Sequence, residues 1–278
     1  MKVFIGVIIF FVAGCTSLPN AQKVETNQGT YTFYAAGFNK PTVVFDAGLG
    51  DDMTSWKSII TQVESTAEVF AYNRAGFSGS KSKNKQRNGQ VIVEELRELL
   101  KSTKKLPPYV LVGHSLGCNV VEYTKTNVQL YAKKYPEEVS GVVLVDPYPS
   151  KYPARCKIEK LDYCKPPSSM PWWAALILPT AIEGEIIGFA DTLSQVNAID
   201  RFPNVPLVVL SATTFANPKN DKQKRHNKVD VQLKQELSES SANSKHIICD
   251  TCSHYIHEDD PLLVINAIKW VLNEATNK

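Results

Sequence analysis

The sequence has no strong excess of charge of either sign, no internal repeat and no low-complexity tract. Its 278 residues include 31 basic and 28 acidic side chains, which leaves a formal net charge of +3. So even a balance gives no electrostatic reason for a nucleic-acid partner, and we expect none. Hydrophobic residues make up 43% of the chain. A chain of this length and composition can bury a full core within one domain.

The N-terminal hydrophobic run is too short to cross a bilayer. It extends from Val3 to Ala13 and has the length of a signal-peptide core. The run ends in Val12-Ala13-Gly14-Cys15, which resembles a bacterial lipobox. The resemblance implies cleavage before Cys15 and acylation of its thiol and new amino group, which together give a stable lipid anchor. An ordinary secretory signal, in which the cysteine is incidental, is the alternative.

These N-terminal features predict the location and the domain boundaries of the protein. We expect residues 1–14 to be a lipoprotein signal peptide, 15–29 a lipidated tether and 30–278 the folded domain. The anchored protein would lie in the bacterial cell envelope. Thr16 stands where an aspartate often signals inner-membrane retention. The outer membrane, facing the periplasm, is therefore the preferred location.

Cysteine is scarce, with six in the chain and five after Cys15. Export to an oxidising compartment favours disulfides between cysteines that are close in sequence. We expect two such pairs, Cys156 with Cys164 and Cys249 with Cys252. Cys118 would then be the free thiol.

Short apolar runs alternate with amphipathic helical runs along most of the domain. This pattern predicts an α/β fold, with a mostly parallel central sheet and helices on both of its faces. The alternation stops at about residues 148–204 and then resumes. We expect this insertion to form a cap over the carboxyl ends of the strands. The last helix is predicted to begin with Asp260 at its N-cap and Pro261 in its first turn.

The segment from Gly113 to Gly117 fits the pattern G-x-S-x-G, with Ser115 at its centre. An apolar strand, YVLV, precedes it and a helical pattern follows it. That context is typical of a nucleophilic serine on a tight strand-to-helix turn. A helix N-terminus there would also offer backbone N–H groups to an oxyanion. A chance pentapeptide in a glycine-rich turn is the structural alternative.

Four stretches of the chain resemble the α/β-hydrolase family: VVFDAGLGDDMTSW, AYNRAGFSGS, YVLVGHSLG and SHYIHEDDPLLVINAI. The resemblance covers most of residues 41–274. It implies that the cap follows the sixth strand of the family's count, GVVLVD. It also implies that the backbone N–H groups of Leu49 and Leu116 form the oxyanion hole. Arg74 matches a residue that braces nearby loops, so we expect a structural role for it.

The resemblance places the catalytic histidine after the last strand, where KHIICDTCSHYIHEDDP offers three candidates. His254 matches the family's position. His257 is the alternative base, and His246 lies within the strand itself. A different interpretation of this stretch is a zinc site, because Cys249, Cys252, His254 and His257 would supply enough ligands. Oxidation of the two thiols argues against zinc, so we expect no metal.

The catalytic acid has two candidates. Most relatives place it soon after the seventh strand, but Phe215 stands there and Asp221 is the next acidic residue. A minority use the end of the sixth strand, where this chain has Asp146. Both choices keep the chain order serine, acid, histidine. We favour Asp146 over Asp221; a structural role at the strand end, before Pro147, is its alternative.

Together these residues predict a serine hydrolase that cleaves carboxylic esters through an acyl-enzyme on Ser115, as a carboxylesterase or lipase does. Its partners would be a small acyl ester and the membrane, with no cofactor and no obligate protein partner. A peptidase, thioesterase or acyltransferase could use the same residues. A further alternative is a catalytically inactive, lipid-anchored binding protein of the same fold.

Overall fold

The structure is a computed structural model. It describes residues 18–114, 127–161, 180–213 and 218–277. The predicted signal peptide and the start of the tether, residues 1–17, lie outside the described parts of the chain. So do the predicted site residues Ser115 and Leu116, the cysteines Cys118 and Cys164, and Phe215.

A nine-stranded sheet forms the centre of the described chain, in the order β1-β2-β4-β3-β6-β7-β8-β9, with β5 paired to β2. The pairs from β4 through β3 to β9 are all parallel, and the pairs that involve β2 are antiparallel. The sheet is therefore mostly parallel, as the sequence predicts. The strands are β1 Gln22–Glu25, β2 Gly29–Ala36, β3 Thr42–Asp46, β4 Val69–Tyr72, β5 Lys81–Ser82, β6 Tyr109–His114, β7 Val139–Val145, β8 Leu207–Ala212 and β9 Ser244–Cys249.

Helices cover both faces of this sheet. The α-helices of the described residues are α1 Lys57–Val63, α2 Gly89–Ser102, α3 Asn127–Lys134, α4 Tyr152–Glu159, α5 Thr180–Ile187, α6 Phe189–Asn197, α7 Asp221–Ser238, α8 Ile256–Asp259 and α9 Pro261–Thr276. Short 3-10 helices occupy Met53–Trp56 and Pro136–Glu138. The N-cap of α9 is as predicted, since the Asp260 side chain accepts a hydrogen bond from the backbone N–H of Leu263.

The core is divided between the two faces by the alternation of side chains along the strands. On β3, Val43 and Phe45 pack with residues of α1 and α9, whereas Val44 packs with residues of α2 and α3. All three are essentially inaccessible to solvent. Strands buried on both faces carry continuous apolar runs, which is why the sequence shows them so clearly.

The N-terminal edge of the sheet differs from the prediction. Residues 15–29 are predicted to be a tether, yet Gln22–Glu25 pairs with β2 and Leu18 is buried in the core. The folded domain therefore includes residues from Leu18 onward. Three of the four residues of β1 are exposed, and the other is half-buried. Such an edge strand is stabilised by backbone pairing, so its side chains carry little hydrophobic signal.

The chain between β7 and β8 contains α4, α5 and α6 in its described parts. α4 packs against α7 through Tyr152 and Cys156, within a cluster that also contains Phe189 from α6. α5 packs against the loops that follow β3 and β4, because Ile182 and Ala181 cluster with Leu49 and Phe77. The cap predicted for residues 148–204 thus lies in part over those two loops.

No helix in residues 18–114, 127–161, 180–213 or 218–277 combines the length and the apolar character needed to cross a bilayer.

Candidate active site

Parallel strands bring the ends of β6, β7 and β8 to one edge of the sheet. β6 ends at His114, which is bonded to Ser115, and β7 ends at Val145, which is bonded to Asp146. His114 and Val145 are partners in the register of these two strands. In the sequence, Ser115 and Asp146 each follow the last residue of one of these two neighbouring strands.

Asp146 is held in place by its backbone and by one of its carboxylate oxygens. Its backbone N–H donates to the carbonyl of Leu210 at 2.8 Å, and its φ of +46° turns the chain sharply before Pro147. A non-glycine residue in this region is uncommon and often marks a functional turn. The Oδ1 atom accepts from the backbone N–H of Ala212 at 2.9 Å and from Lys234 Nζ at 2.6 Å.

The other oxygen of Asp146 contacts His254. A short hydrogen bond joins His254 Nδ1 to Asp146 Oδ2. Burial alone would raise the pKa of the Asp146 carboxyl, but Lys234 and His254 outweigh it and lower the pKa to about 2. Because an ionised carboxylate can only accept, the proton of a neutral His254 lies on Nδ1. This tautomer leaves the lone pair of Nε2 available, as a general base requires.

The free side of the His254 ring faces no described partner. His254 Nε2 is buried, and it has no hydrogen-bond partner among the residues that the structure describes. The side chain as a whole keeps 29% of its surface exposed. Buried polar atoms are almost always hydrogen-bonded, so a buried ring nitrogen with no partner among the described residues is a candidate for a chemical role.

The loop that carries His254 is fixed at both ends. The disulfide between Cys249 and Cys252 closes its start, with a Cα–Cα distance of 5.4 Å. Beyond it, Asp259 accepts from the Ser253 backbone N–H at 2.7 Å and from its hydroxyl at 2.6 Å. The His254 carbonyl accepts from His114 Nε2 at 3.1 Å. These contacts fix His254 against the end of β6.

The other two histidines of this region are engaged elsewhere. His257 is completely buried, and its ring centroid lies 4.7 Å from that of Trp56 and 4.2 Å from that of His114. His246 makes hydrogen bonds of 2.7 Å to Ser211 and to Gln235. Neither imidazole contacts Asp146 in the described structure, so His254 is the histidine that meets the acid candidate.

The alternative acid, Asp221, is placed differently. It is the first residue of α7, and 95% of its side chain is exposed. Its carboxylate is 3.5 Å from Lys224 in the next turn of the same helix. Between the two acid candidates, the structure therefore brings Asp146 to His254.

Arg74 fixes the loop that follows β3. Its guanidinium is buried and donates to Asp46 at 3.0 Å and to Glu185 of α5 at 3.1 Å. It also donates to the carbonyls of Ala47 at 2.7 Å and Gly48 at 2.6 Å. In a planar trans peptide the C=O and the following N–H point in opposite directions. Holding the Gly48 carbonyl therefore turns the N–H of Leu49 away from Arg74, as an oxyanion donor requires.

The four side chains of the alternative zinc site are not arranged as ligands. Cys249 and Cys252 are joined to each other, so neither sulfur is the thiolate that zinc needs. His254 contacts Asp146 through Nδ1. Across the described ranges, no group of three or more His, Cys, Asp or Glu side chains could hold a metal ion. The second predicted disulfide stays a prediction: Cys156 is buried, and Cys164 lies outside the description.

Two residues beside the acid candidate, Asp230 and Lys234 of α7, are not predicted from the sequence. Both are buried, and Lys234 Nζ lies 2.6 Å from Asp230 Oδ2 as well as from Asp146 Oδ1. Their spacing of four residues on an amphipathic helix was the available signal, because it predicts an ion pair. Nothing in the spacing indicates that the pair is buried or that it faces Asp146.

The mostly parallel sheet with helices on both faces has the architecture of the α/β-hydrolase fold. A family model described as the alpha/beta hydrolase fold matches residues 41–181, just over half of the chain. The chain belongs to this family. The match agrees with the resemblance seen in the sequence.

Individual relatives are distant. Uncharacterized protein YqjL of Bacillus subtilis (strain 168) is 27% identical over 252 residues, which cover 89% of this chain and 90% of that protein. A (Lyso)-N-acylphosphatidylethanolamine lipase of Mus musculus is 27% identical over 141 residues, or 50% of this chain and 38% of that one. The structure of a thermophilic esterase from Thermogutta terrifontis superposes with a TM-score of 0.61 at 16% identity, covering 92% of this chain and 98% of the other. The likeness to the esterase shows the fold.

Proposed function

We propose that the protein is a serine hydrolase that cleaves carboxylic esters through an acyl-enzyme on Ser115. His254 is the general base, Asp146 is the acid that orients it, and the N–H groups of Leu49 and Leu116 bind the oxyanion. The observation that carries the proposal is the pairing of His254 Nδ1 with Asp146, which leaves Nε2 without a partner among the described residues.

The chain position of Ser115 supports its role as the nucleophile. It is the residue after His114, whose ring nitrogen donates to the backbone carbonyl of His254. The ring centroids of His114 and His254 are 4.9 Å apart. The base therefore lies at the end of β6, and Ser115 is the next residue in the sequence.

In the proposed reaction, His254 Nε2 takes the hydroxyl proton of Ser115 as its oxygen attacks the ester carbonyl. The tetrahedral oxyanion accepts hydrogen bonds from the two backbone N–H groups. The His254 imidazolium, stabilised by the charge of Asp146, then protonates the departing alcohol. Water then attacks the acyl-enzyme by the same steps and releases the carboxylic acid product, which restores the free serine.

Labelling by a fluorophosphonate probe tests the nucleophile directly. The full chain, purified in detergent, is expected to be labelled once, and Ser115→Ala is expected to abolish labelling while circular dichroism stays unchanged. Hydrolysis of p-nitrophenyl acetate is measured in parallel. A folded chain that neither reacts with the probe nor hydrolyses the ester would contradict the proposal and favour the inactive binding protein.

The choice of acid is tested by a pair of substitutions. Asp146→Asn removes the charge that orients His254 and is expected to lower kcat by about 10⁴-fold, as loss of a triad acid does. Asp221→Asn is the matched control, because its carboxylate is exposed. It is expected to leave kcat within about twofold of the wild-type value. A large loss with Asp221→Asn and none with Asp146→Asn would reverse the assignment.

The substrate class is proposed more broadly than the chemistry. A distant relative is a lipase of N-acylated phospholipids and a structural neighbour is an esterase, which suits an ester with an apolar acyl group. A series of p-nitrophenyl esters from acetate to palmitate tests this. Higher kcat/KM for the longer chains supports a lipase-like substrate, whereas a preference for acetate supports a small-ester hydrolase.

We further propose that the protein is anchored through acylated Cys15 in the bacterial cell envelope, with the outer membrane preferred. The lipobox-like sequence supports the anchor, and a disulfide at Cys249 suits an oxidising compartment. Mass spectrometry of the N-terminal peptide is expected to show an acylated cysteine at the first position. Release of Cys15→Ser from the membrane fraction would support the anchor, and an unmodified N-terminus would exclude it.

A further inference from the structure

Three buried charged side chains lie behind the proposed base and form one cluster. Lys234 Nζ lies 2.6 Å from Asp146 Oδ1 and 2.6 Å from Asp230 Oδ2. The side chains of Lys234, Asp146 and Asp230 are 4%, 7% and 7% exposed. Buried charges are retained only when they are paired, and here one ammonium pairs with two carboxylates.

The charges of Asp146, Lys234 and Asp230 add to −1 when His254 is neutral. If Asp230 were absent, Lys234 would cancel the charge of Asp146. The imidazolium that forms during acyl transfer would then face a neutral pair. With Asp230 present, the ammonium can hold Oδ1 of Asp146 while the site keeps the negative charge that stabilises the imidazolium. Asp230 lies one turn from Lys234 on α7 and pairs with it. Because their charges are opposite, the pair has no net charge.

We propose that Lys234 is a positioning residue for the triad and that Asp230 is its counter-charge. Lys234 and the Ala212 N–H together occupy Oδ1, which directs Oδ2 toward His254 Nδ1. Asp230 preserves the net charge that His254 requires. This inference rests on the proposed function, since it assigns a role to two residues behind the same base.

Other titratable groups lie near His254 and near the three buried charges. His254 lies beside His114 of β6 and near His257 of α8. Burial lowers the pKa of His226 of α7 and of His246 of β9, and the charge of Lys234 lowers both further. None of these four histidines contacts Asp146 or Asp230 in a contact that the structure describes. Substitutions at 230 and 234 therefore act on His254 chiefly through Asp146.

The test uses a set of variants that differ in charge. Asp230→Asn keeps the shape of the side chain and brings the net charge behind His254 to zero. The double variant Asp230→Asn/Lys234→Met returns it to −1, carried by Asp146 alone. Asp221→Asn, an exposed carboxylate on the same helix, is the matched control. Each variant is compared by the pH dependence of kcat/KM and, in parallel, by NMR titration of the His254 imidazole.

Asp230→Asn and the added Lys234→Met are expected to move the acid-side midpoint in opposite directions. In Asp230→Asn the acid-side midpoint falls by about one pH unit, because the imidazolium loses net negative charge. We expect kcat to fall by about tenfold with KM little changed, since the loss is in the transition state. In the double variant the midpoint returns to the wild-type value or rises above it, and kcat stays low because Oδ1 has lost a donor. The Asp221→Asn midpoint is expected to stay at the wild-type value.

A purely structural role for the pair would give lower stability and activity without these ordered shifts. Equal midpoints in the wild type and in Asp230→Asn would overturn the proposal. The NMR titration needs no turnover, so it decides even if the protein fails to hydrolyse esters. If the double variant fails to fold, Asp230→Asn alone decides by the direction of its shift.

Discussion

His257 is expected to make the protein sensitive to mild acid. Its side chain is completely buried in α8, against the rings of Trp56 and His114. Neither ring nitrogen has a hydrogen-bond partner among the described residues. Burial and the neighbouring His254 lower the pKa of His257 from its ordinary 6.5 to about 4. The folded protein therefore holds this imidazole neutral, whereas an unfolded chain is free to protonate it.

The sign of the effect follows from proton linkage. Below pH 6.5 the unfolded state binds a proton at this site that the folded state does not, so the free energy of unfolding falls as the pH falls. The loss levels off below the folded-state pKa of about 4. For one group with these two pKa values, the loss between pH 7 and pH 5 is about 2 kcal/mol. Removing the imidazole should remove that loss.

The variant His257→Leu tests this, because leucine has a similar volume and no group that titrates. Urea unfolding at pH 7 and pH 5 gives the free energies. We expect the wild type to lose about 2 kcal/mol more than His257→Leu does over this interval. Ile256→Val, at an equally buried neighbour, is the control and should lower both free energies by about 1 kcal/mol. Equal pH dependence in the wild type and His257→Leu would refute the reasoning.

Two further predictions concern the loops on either side of the site. Arg74→Lys cannot hold two carboxylates and two carbonyls at once, so the N–H of Leu49 loses its orientation, and we expect kcat for ester hydrolysis to fall about tenfold or more. Unchanged kcat would show that this loop is fixed by other contacts. Replacing Cys249 and Cys252 by serine should lower the free energy of unfolding by about 2 kcal/mol, because the disulfide restricts the unfolded chain. Urea unfolding measures this loss, and reductant should reproduce it in the wild type; no change in either would show that the disulfide contributes nothing to stability.

The parallel part of the fold could be predicted because its strands are buried on both faces. β3, β6, β7 and β8 are continuous apolar runs, and the helices between them have one apolar face. The edge strands β1 and β5 could not be predicted, since backbone pairing holds them while their side chains face solvent. A hydrophobic period in the sequence reflects side-chain burial, and the side chains of β1 and β5 are hardly buried.

The candidate site divides in the same way. A local motif on a strand-to-helix turn predicts the role of Ser115, and the resemblance to the family predicts that of His254. The choice between Asp146 and Asp221 had no such pattern. It depends on which carboxylate lies beside His254, and that distance is set by the order of β7, β8 and β9 in the sheet. Contacts between distant segments leave no local trace in one sequence.

Buried cations complete the site on both sides. Arg74 lies in one of the stretches that resemble the family, whereas Lys234 lies outside all of them. Lys234 of α7 holds Asp146, while Arg74 holds the Gly48 carbonyl and also pairs with Glu185 of the cap helix α5. Because the Arg74 guanidinium joins the cap to the loop of the proposed oxyanion donor, a shift of α5 would move both Arg74 and that loop. A buried ion pair is weak evidence for stability, since apolar packing often does as well. Its geometric effect is the better reason for its presence here, because an apolar side chain could fix neither a carboxylate oxygen nor a peptide plane.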